Sequence, residues 1–266
     1  MLLARRILWG FYPTLLAICL NFFASANQAL GGPPPGATEF AAAARKNLSE
    51  ARTRHRTEPG DAQAAWQFAR ACFDAAEFAT NRTERAQIAE EGIAVCRQLI
   101  VREPNSAPAH YYLGMNLGQL ARTKGLSALK IVDEMQREFT AARDLDAHLD
   151  YGGPERNLGL LYRDAPSVGS IGSRNKARYH LERAALIAPD YPENRLNLVE
   201  AYLKWSDRNG ARRELRTIEE LWPSARTNFV GQTWAASWAD WEQRLKQAKK
   251  KVEEPPKALE SPRQKD

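Results

Sequence analysis

The residues able to do chemistry are few and dispersed. His55, His110, His148 and His180 stand singly, and no Cys-x-x-Cys pair occurs. A zinc centre takes its ligands from short-spaced Cys and His pairs, so a metal site has no support and no cofactor is implied. The run Ser167-Val168-Gly169-Ser170-Ile171-Gly172-Ser173 has the small residues of a phosphate cradle. A phosphate loop, however, follows a strand and carries a lysine with Ser or Thr directly after its last glycine. Neither is present, and the run reads as a flexible connector. No Ser/His/Asp or Cys/His set is legible for nucleophilic catalysis. The chain therefore reads as a binding protein and not as an enzyme.

One of the three cysteines, Cys19, falls in an N-terminal export signal. Arg5 and Arg6 form its basic start, and Ile7 to Phe23 form an apolar stretch broken only by Gly10, Pro13, Thr14 and Asn21. Ala24-Ser25-Ala26 supplies small residues where signal peptidase reads them, which places cleavage before Asn27. Two alternatives are a retained membrane anchor and a lipidated Cys19, the latter disfavoured by the bulky Ile18 before it. The expected product is exported and soluble, in the periplasm or outside the cell. It keeps Cys72 and Cys96, a candidate disulfide pair on consecutive helices. A bridge needs their Cα atoms within ~7 Å. Two buried thiols are the competing reading, because Cys96 sits at a core position.

Without the signal the chain has four positive charges in excess, 36 Lys and Arg against 32 Asp and Glu. Acids and bases alternate along its helices, as in Glu84-Arg85 and Arg212-Arg213-Glu214. That is the pattern of solvated helix faces, so nucleic acid is not an expected partner. Lys249-Lys250-Lys251 is the one biased run, suited at most to peripheral association with an anionic membrane or envelope surface.

The elements that must position any binding residues announce themselves by repetition. Ala177, Leu181, Ala184 and Pro189 are followed 34 residues later by Ala211, Leu215, Ile218 and Pro223. Their partner helices carry Asn157-Leu158-Gly159-Leu160-Leu161-Tyr162 and Asn197-Leu198-Val199-Glu200-Ala201-Tyr202. A first unit has Trp66, Ala69 and Phe73, then Gly92, Cys96, Leu99 and Pro104. A second has His110, Leu113, Gly114 and Leu117, then Met135, Phe139 and Ala142. Proline at 104, 189 and 223 is expected to stop each second helix. Gly114 and Gly159 are expected to let the paired helix approach closely. On these residues the chain resembles the tetratricopeptide repeat (TPR) family, whose 34-residue helix–turn–helix units bury their apolar faces by stacking.

The resemblance implies an all-α TPR-like solenoid of about four helix pairs. Residues 1–26 are the signal peptide, 27–37 a flexible linker rich in Gly and Pro, and 38–60 an N-terminal helix and turn. Residues 61–225 form the solenoid and 226–252 a C-terminal capping helix. Trp234, Trp238, Trp241 and Leu245 make one stripe on that helix. Residues 253–266 form a disordered tail, charged and nearly free of apolar side chains. Fourteen residues separate Tyr162 from Ala177, against eight between Tyr202 and Ala211. Such inserts in solenoids map to loops on one face. Gly152-Gly153-Pro154, Leu158-Gly159, Ala165-Pro166, Ile171-Gly172 and Lys176-Ala177 add a looser likeness over about residues 107–225. It is to exported bacterial repeat proteins similar to the T-component of TRAP transporters and to the mitochondrial regulators of microtubule dynamics.

In this family the first helix of each pair lines a concave groove. The resemblance places Gln67 and Asp74, Tyr111 and Met115, Arg156 and Arg163, and Glu193 and Glu200 along it. Gln67 and Ala71 stand where a Lys/Asn cradle for a terminal carboxylate would begin, so that mode is not expected. Tyr111 and Met115 are expected to form an apolar patch beside an anion-binding arginine pair, with Glu193 and Glu200 an acidic end. Charge reversal of Arg156 and Arg163 together is expected to abolish binding without loss of helicity. The leading reading is an exported scaffold holding a protein or peptide in this groove, within a cell-envelope assembly. The alternative is a periplasmic small-ligand-binding or transporter accessory component that takes an anionic solute through the two arginines.

Overall fold

The computed structural model describes residues 37–125 and 127–254, and these form α-helices with no strand among them. The expected signal peptide, the linker up to residue 36 and the tail beyond residue 254 lie outside the described residues. Helix α1 (Ala37–Thr57) precedes four pairs. They are α2 (Ala62–Glu77) with α3 (Arg82–Arg102), α4 (Ala107–Ala121) with α5 (Ala128–Leu145), α6 (Leu149–Asp164) with α7 (Arg174–Ile187), and α8 (Pro192–Lys204) with α9 (Arg208–Asn228). Helix α10 (Ala235–Glu253) closes the series after a short 3-10 turn at Gln232–Trp234. The first helices α2, α4, α6 and α8 are neighbours in order, and α10 continues that row against α8.

Local sequence sets the starts. Asp61 accepts the Gln63 amide at 2.9 Å and Asn81 the Glu84 amide at 2.9 Å, while Asp207 accepts the Gly210 amide at 2.8 Å. Each satisfies an N–H that the first turn leaves orphaned. A β-carbon at Gly114 would lie 2.6 Å from Phe139, and one at Gly159 would lie 2.6 Å from Leu181. Both glycines therefore bring α4 onto α5 and α6 onto α7, as their positions in the repeat suggest. Apolar clusters follow one another along the stack. Trp66 joins the first to the second and Trp205 the second to the third, which gives one continuous seam.

Two prolines behave as expected and one does not. Helices α3 and α7 end just before Pro104 and Pro189, but α9 runs through Pro223 to Asn228. Pro223 lies on the exposed side, and the turns around it carry Leu221, Ala225 and Phe229 into the core. Their burial offsets the lost hydrogen bond and ring clash, about 3 kcal/mol. The first unit carries its length in a helix. Only residues 78–81 connect α2 to α3, so its extra length extends α3 instead of forming a loop. Cys72 and Cys96 are both buried free thiols. On α10, Trp238 and Trp241 turn inward onto α8 and α9, with Leu245 partly covered beside them. These side chains shield the open end of the last pair, but the helix expected over 226–252 is divided: α9 runs to Asn228, Trp234 sits in the 3-10 turn, and α10 begins at Ala235.

Candidate partner-binding face

The row of first helices presents one polar face, and its eight expected residues divide sharply. Asp74 is open, with Arg70 3.8 Å away on the next turn. Gln67 is half-buried and accepts from Arg54 of α1 at 2.9 Å, so it ties α1 to α2. Met115 is half-buried against the apolar seam. Tyr111 is fully buried, and its hydroxyl donates to Asp150 Oδ2 at 2.6 Å. The arginine side chains are covered too, at 5% exposure for Arg156 and 8% for Arg163. Glu193 and Glu200 are half-buried, with 29% and 36% of their side chains exposed.

The expected centre, an exposed Tyr111/Met115 patch flanked by an anion-binding arginine pair, is therefore overturned. Arg156 Nη2 donates to Asp150 Oδ2 at 2.8 Å, and its Nη1 donates to the Asp150 carbonyl at 3.2 Å and to Asn194 Oδ1 at 3.2 Å. Glu193 lies 3.7 Å away, and the guanidinium sits 5.3 Å from the Tyr191 ring centre. Arg163 forks onto Asp164 at 2.9 and 2.8 Å, while Lys204 reaches Asp164 from α8 at 2.8 Å. Burial disfavours the charge on both arginines, yet the neighbouring carboxylates outweigh it and hold both well protonated. They are neutralised struts inside the protein. Reversing both charges would leave several carboxylates buried without partners, so loss of helicity is now the expected result.

What Arg156 holds is a turn at the start of α6. Asp150, Tyr151 and Gly152 take consecutive left-handed conformations, with φ of 50°, 57° and 77°. For the two non-glycine residues this costs roughly 1–2 kcal/mol each. Arg156 clamps the turn from one side, and Asn194 donates to the Tyr151 carbonyl at 2.9 Å from α8. The turn brings Tyr151 onto Tyr191, stacked at 4.6 Å between ring centres, and edge-on to Trp234 at 5.7 Å.

Further residues complete the face. Arg244 of α10 donates to Glu200 at 2.7 Å and to Asn197 Oδ1 at 2.6 Å, and it pairs with Asp240 at 3.2 Å. Burial raises the Asp240 carboxyl above its ordinary value against the pull of Arg244, and Glu193 and Glu200 add to the rise. At Glu200 burial acts the same way, but Arg244 and Arg163 outweigh it and the carboxyl stays below its ordinary value. Asp74 has its carboxyl raised to about 6, first because protein mass surrounds it within the groove and then through Asp150 and Glu77, with Arg70 opposing. The signals for the missed residues were slight. Asn197 lies on the Glu193/Glu200 stripe, and Asp240 and Arg244 are one turn apart beside the tryptophans. Among the described residues no group of His, Cys, Asp and Glu is arranged to hold a metal ion.

Stacked helix pairs with one polar face built from their first members define a TPR-type α-solenoid. The solved structure of a thermophilic TPR protein from Thermus thermophilus superposes with a TM-score of 0.57 at 18% identity, covering 80% of this chain and 94% of that chain. The family model for regulator of microtubule dynamics protein 1-3 matches residues 37–145. That stretch starts at α1, before the 107–225 region on which the looser resemblance was read, and overlaps it only up to residue 145. Neither match is to a TRAP transporter component. No curated protein matches the chain.

Proposed function

We propose that this protein is an interaction scaffold that holds a protein or peptide segment along the face formed by α2, α4, α6, α8 and α10. The carrying observation is the division of labour on that face. Arg156, Arg163 and Arg244 are covered and held by protein carboxylates, whereas Asp74 is exposed and Glu193, Glu200 and Asp240 each keep a larger share of the side chain open than the arginine they pair with. Export, by the signal ending at Ala26, puts the scaffold in a cell-envelope assembly. The anionic-solute reading loses its carrier, because Arg156 and Arg163 already face protein carboxylates.

A photo-crosslinking residue in place of Glu200, with another in place of the exposed Lys250 as control, tests the reading in the source cells. The Glu200 position is expected to capture a defined partner in the envelope fraction and the Lys250 position none. Equal capture at both, or none at either, would contradict it. N-terminal sequencing of the exported protein is expected to begin at Asn27, and recovery of Met1 would rule out cleavage.

A further inference from the structure

We infer that the α6–α8–α10 end of this face recognises a cationic side chain, lysine or arginine, on an extended segment of its protein partner. This rests on the scaffold reading above and adds the chemistry of the occupant. Asp150, Glu193, Glu200 and Asp240 gather there around Arg156 and Arg244, and the carboxylates are the open members of every pair. Asp240 exposes 43% of its side chain against 13% for Arg244. A ligand therefore meets acceptors, with the compensating donors behind them.

Aromatic surface adjoins these acids. Tyr151 is 39% exposed, and Tyr191, Phe229 and Trp234 pack around it with ring centres 4.6 to 5.7 Å from its own. Carboxylates beside aromatic faces suit a cation on an apolar stem, which gains both charge pairing and cation–π attraction. The third observation points to a peptide in place of a free amine. Asn197 is only 3% exposed, yet its Nδ2 has no hydrogen-bond partner. At the equivalent place in the preceding pair, the Asn157 amide donates to the Gly153 carbonyl at 2.9 Å and to Tyr111 at 3.2 Å. An unfilled donor on the Glu193/Glu200 stripe suits a main-chain carbonyl of the segment, since a buried polar group without a partner costs about 1–3 kcal/mol.

Net charge opposes this preference elsewhere. The full chain carries +6, so unspecific attraction favours an acidic ligand. The test uses the full chain and three fluorescein-labelled decapeptides identical except for three positions, which hold lysine, acetyl-lysine or glutamate. Fluorescence anisotropy is expected to show the lysine peptide bound at least about tenfold more tightly than either of the others. Glu193→Gln with Asp240→Asn should remove that preference in a chain whose circular dichroism at the assay temperature still shows the full helical signal. Asn197→Ala should weaken lysine and acetyl-lysine peptides by the same factor. If lysine and acetyl-lysine peptides bind equally, or the double variant keeps the preference, the cationic assignment is overturned and the scaffold reading stands. If no peptide binds, both fall.

Discussion

Arg156 shows how a residue picked for its chemistry can serve position instead. Its guanidinium reaches the Asp150 carboxylate, the Asp150 carbonyl and Asn194, and so joins the strained turn of α6 to α8. Truncation to alanine leaves the Asp150 carboxylate with only the Tyr111 hydroxyl, and a broken buried pair typically costs 3–5 kcal/mol. Arg156→Ala is therefore expected to lower stability by about 3 kcal/mol in chemical denaturation; a loss under ~0.5 kcal/mol, the level of a surface change, would show that the turn holds without it. Asp74 carries the opposite kind of effect. Its folded carboxyl is raised to about 6 from an ordinary 3.8, so the folded state binds the proton more tightly than the unfolded chain does. Ionisation then disfavours folding, and the penalty grows as pH rises from about 4 to about 6 and stays constant above. Asp74→Asn is expected to raise the melting temperature at pH 7 and to leave it unchanged below pH 4. A gain that persisted at pH 3 would contradict the assignment.

At the scale of elements, stability comes from stacking, and single core positions report on it. Leu215 faces inward on α9 and is nearly fully covered, whereas Lys250 is exposed on α10. Leu215→Asp buries an unpaired carboxylate and is expected to cost several kcal/mol, and Lys250→Asp less than ~0.5. Similar melting temperatures for the two would mean that the helix register is misassigned. Much of this level was legible in the sequence. The 34-residue recurrence, the glycines facing Phe139 and Leu181, and the stops before Pro104 and Pro189 are all consequences of local pattern. Pro223 was misread because Ala225 and Phe229 beyond it bind the helix to α8 and α10, a tertiary effect that a proline rule does not contain. The burial of Arg156 was illegible for a related reason. Its partners Asp150 and Glu193 lie on two different elements, and a repeat alignment shows which face a residue shares but not how deep it sits.

Over the whole molecule the stack of first helices makes a graded surface. Asp74 and Arg70 mark the α2 end, buried tyrosines of α4 the middle, and the acids and aromatics of α6, α8 and α10 the far end. The second helices α3, α5, α7 and α9 hold this arrangement from behind through the apolar seam. The central claim is that partners meet the first helices and not the second. Hydrogen exchange of the full chain with and without the lysine-bearing decapeptide tests it most directly. Slowed exchange is expected over residues 149–157, in α8 and in the first turns of α10, with α3, α5 and α7 unchanged. Protection confined to the second helices, or the same exchange with and without peptide throughout, would contradict the account.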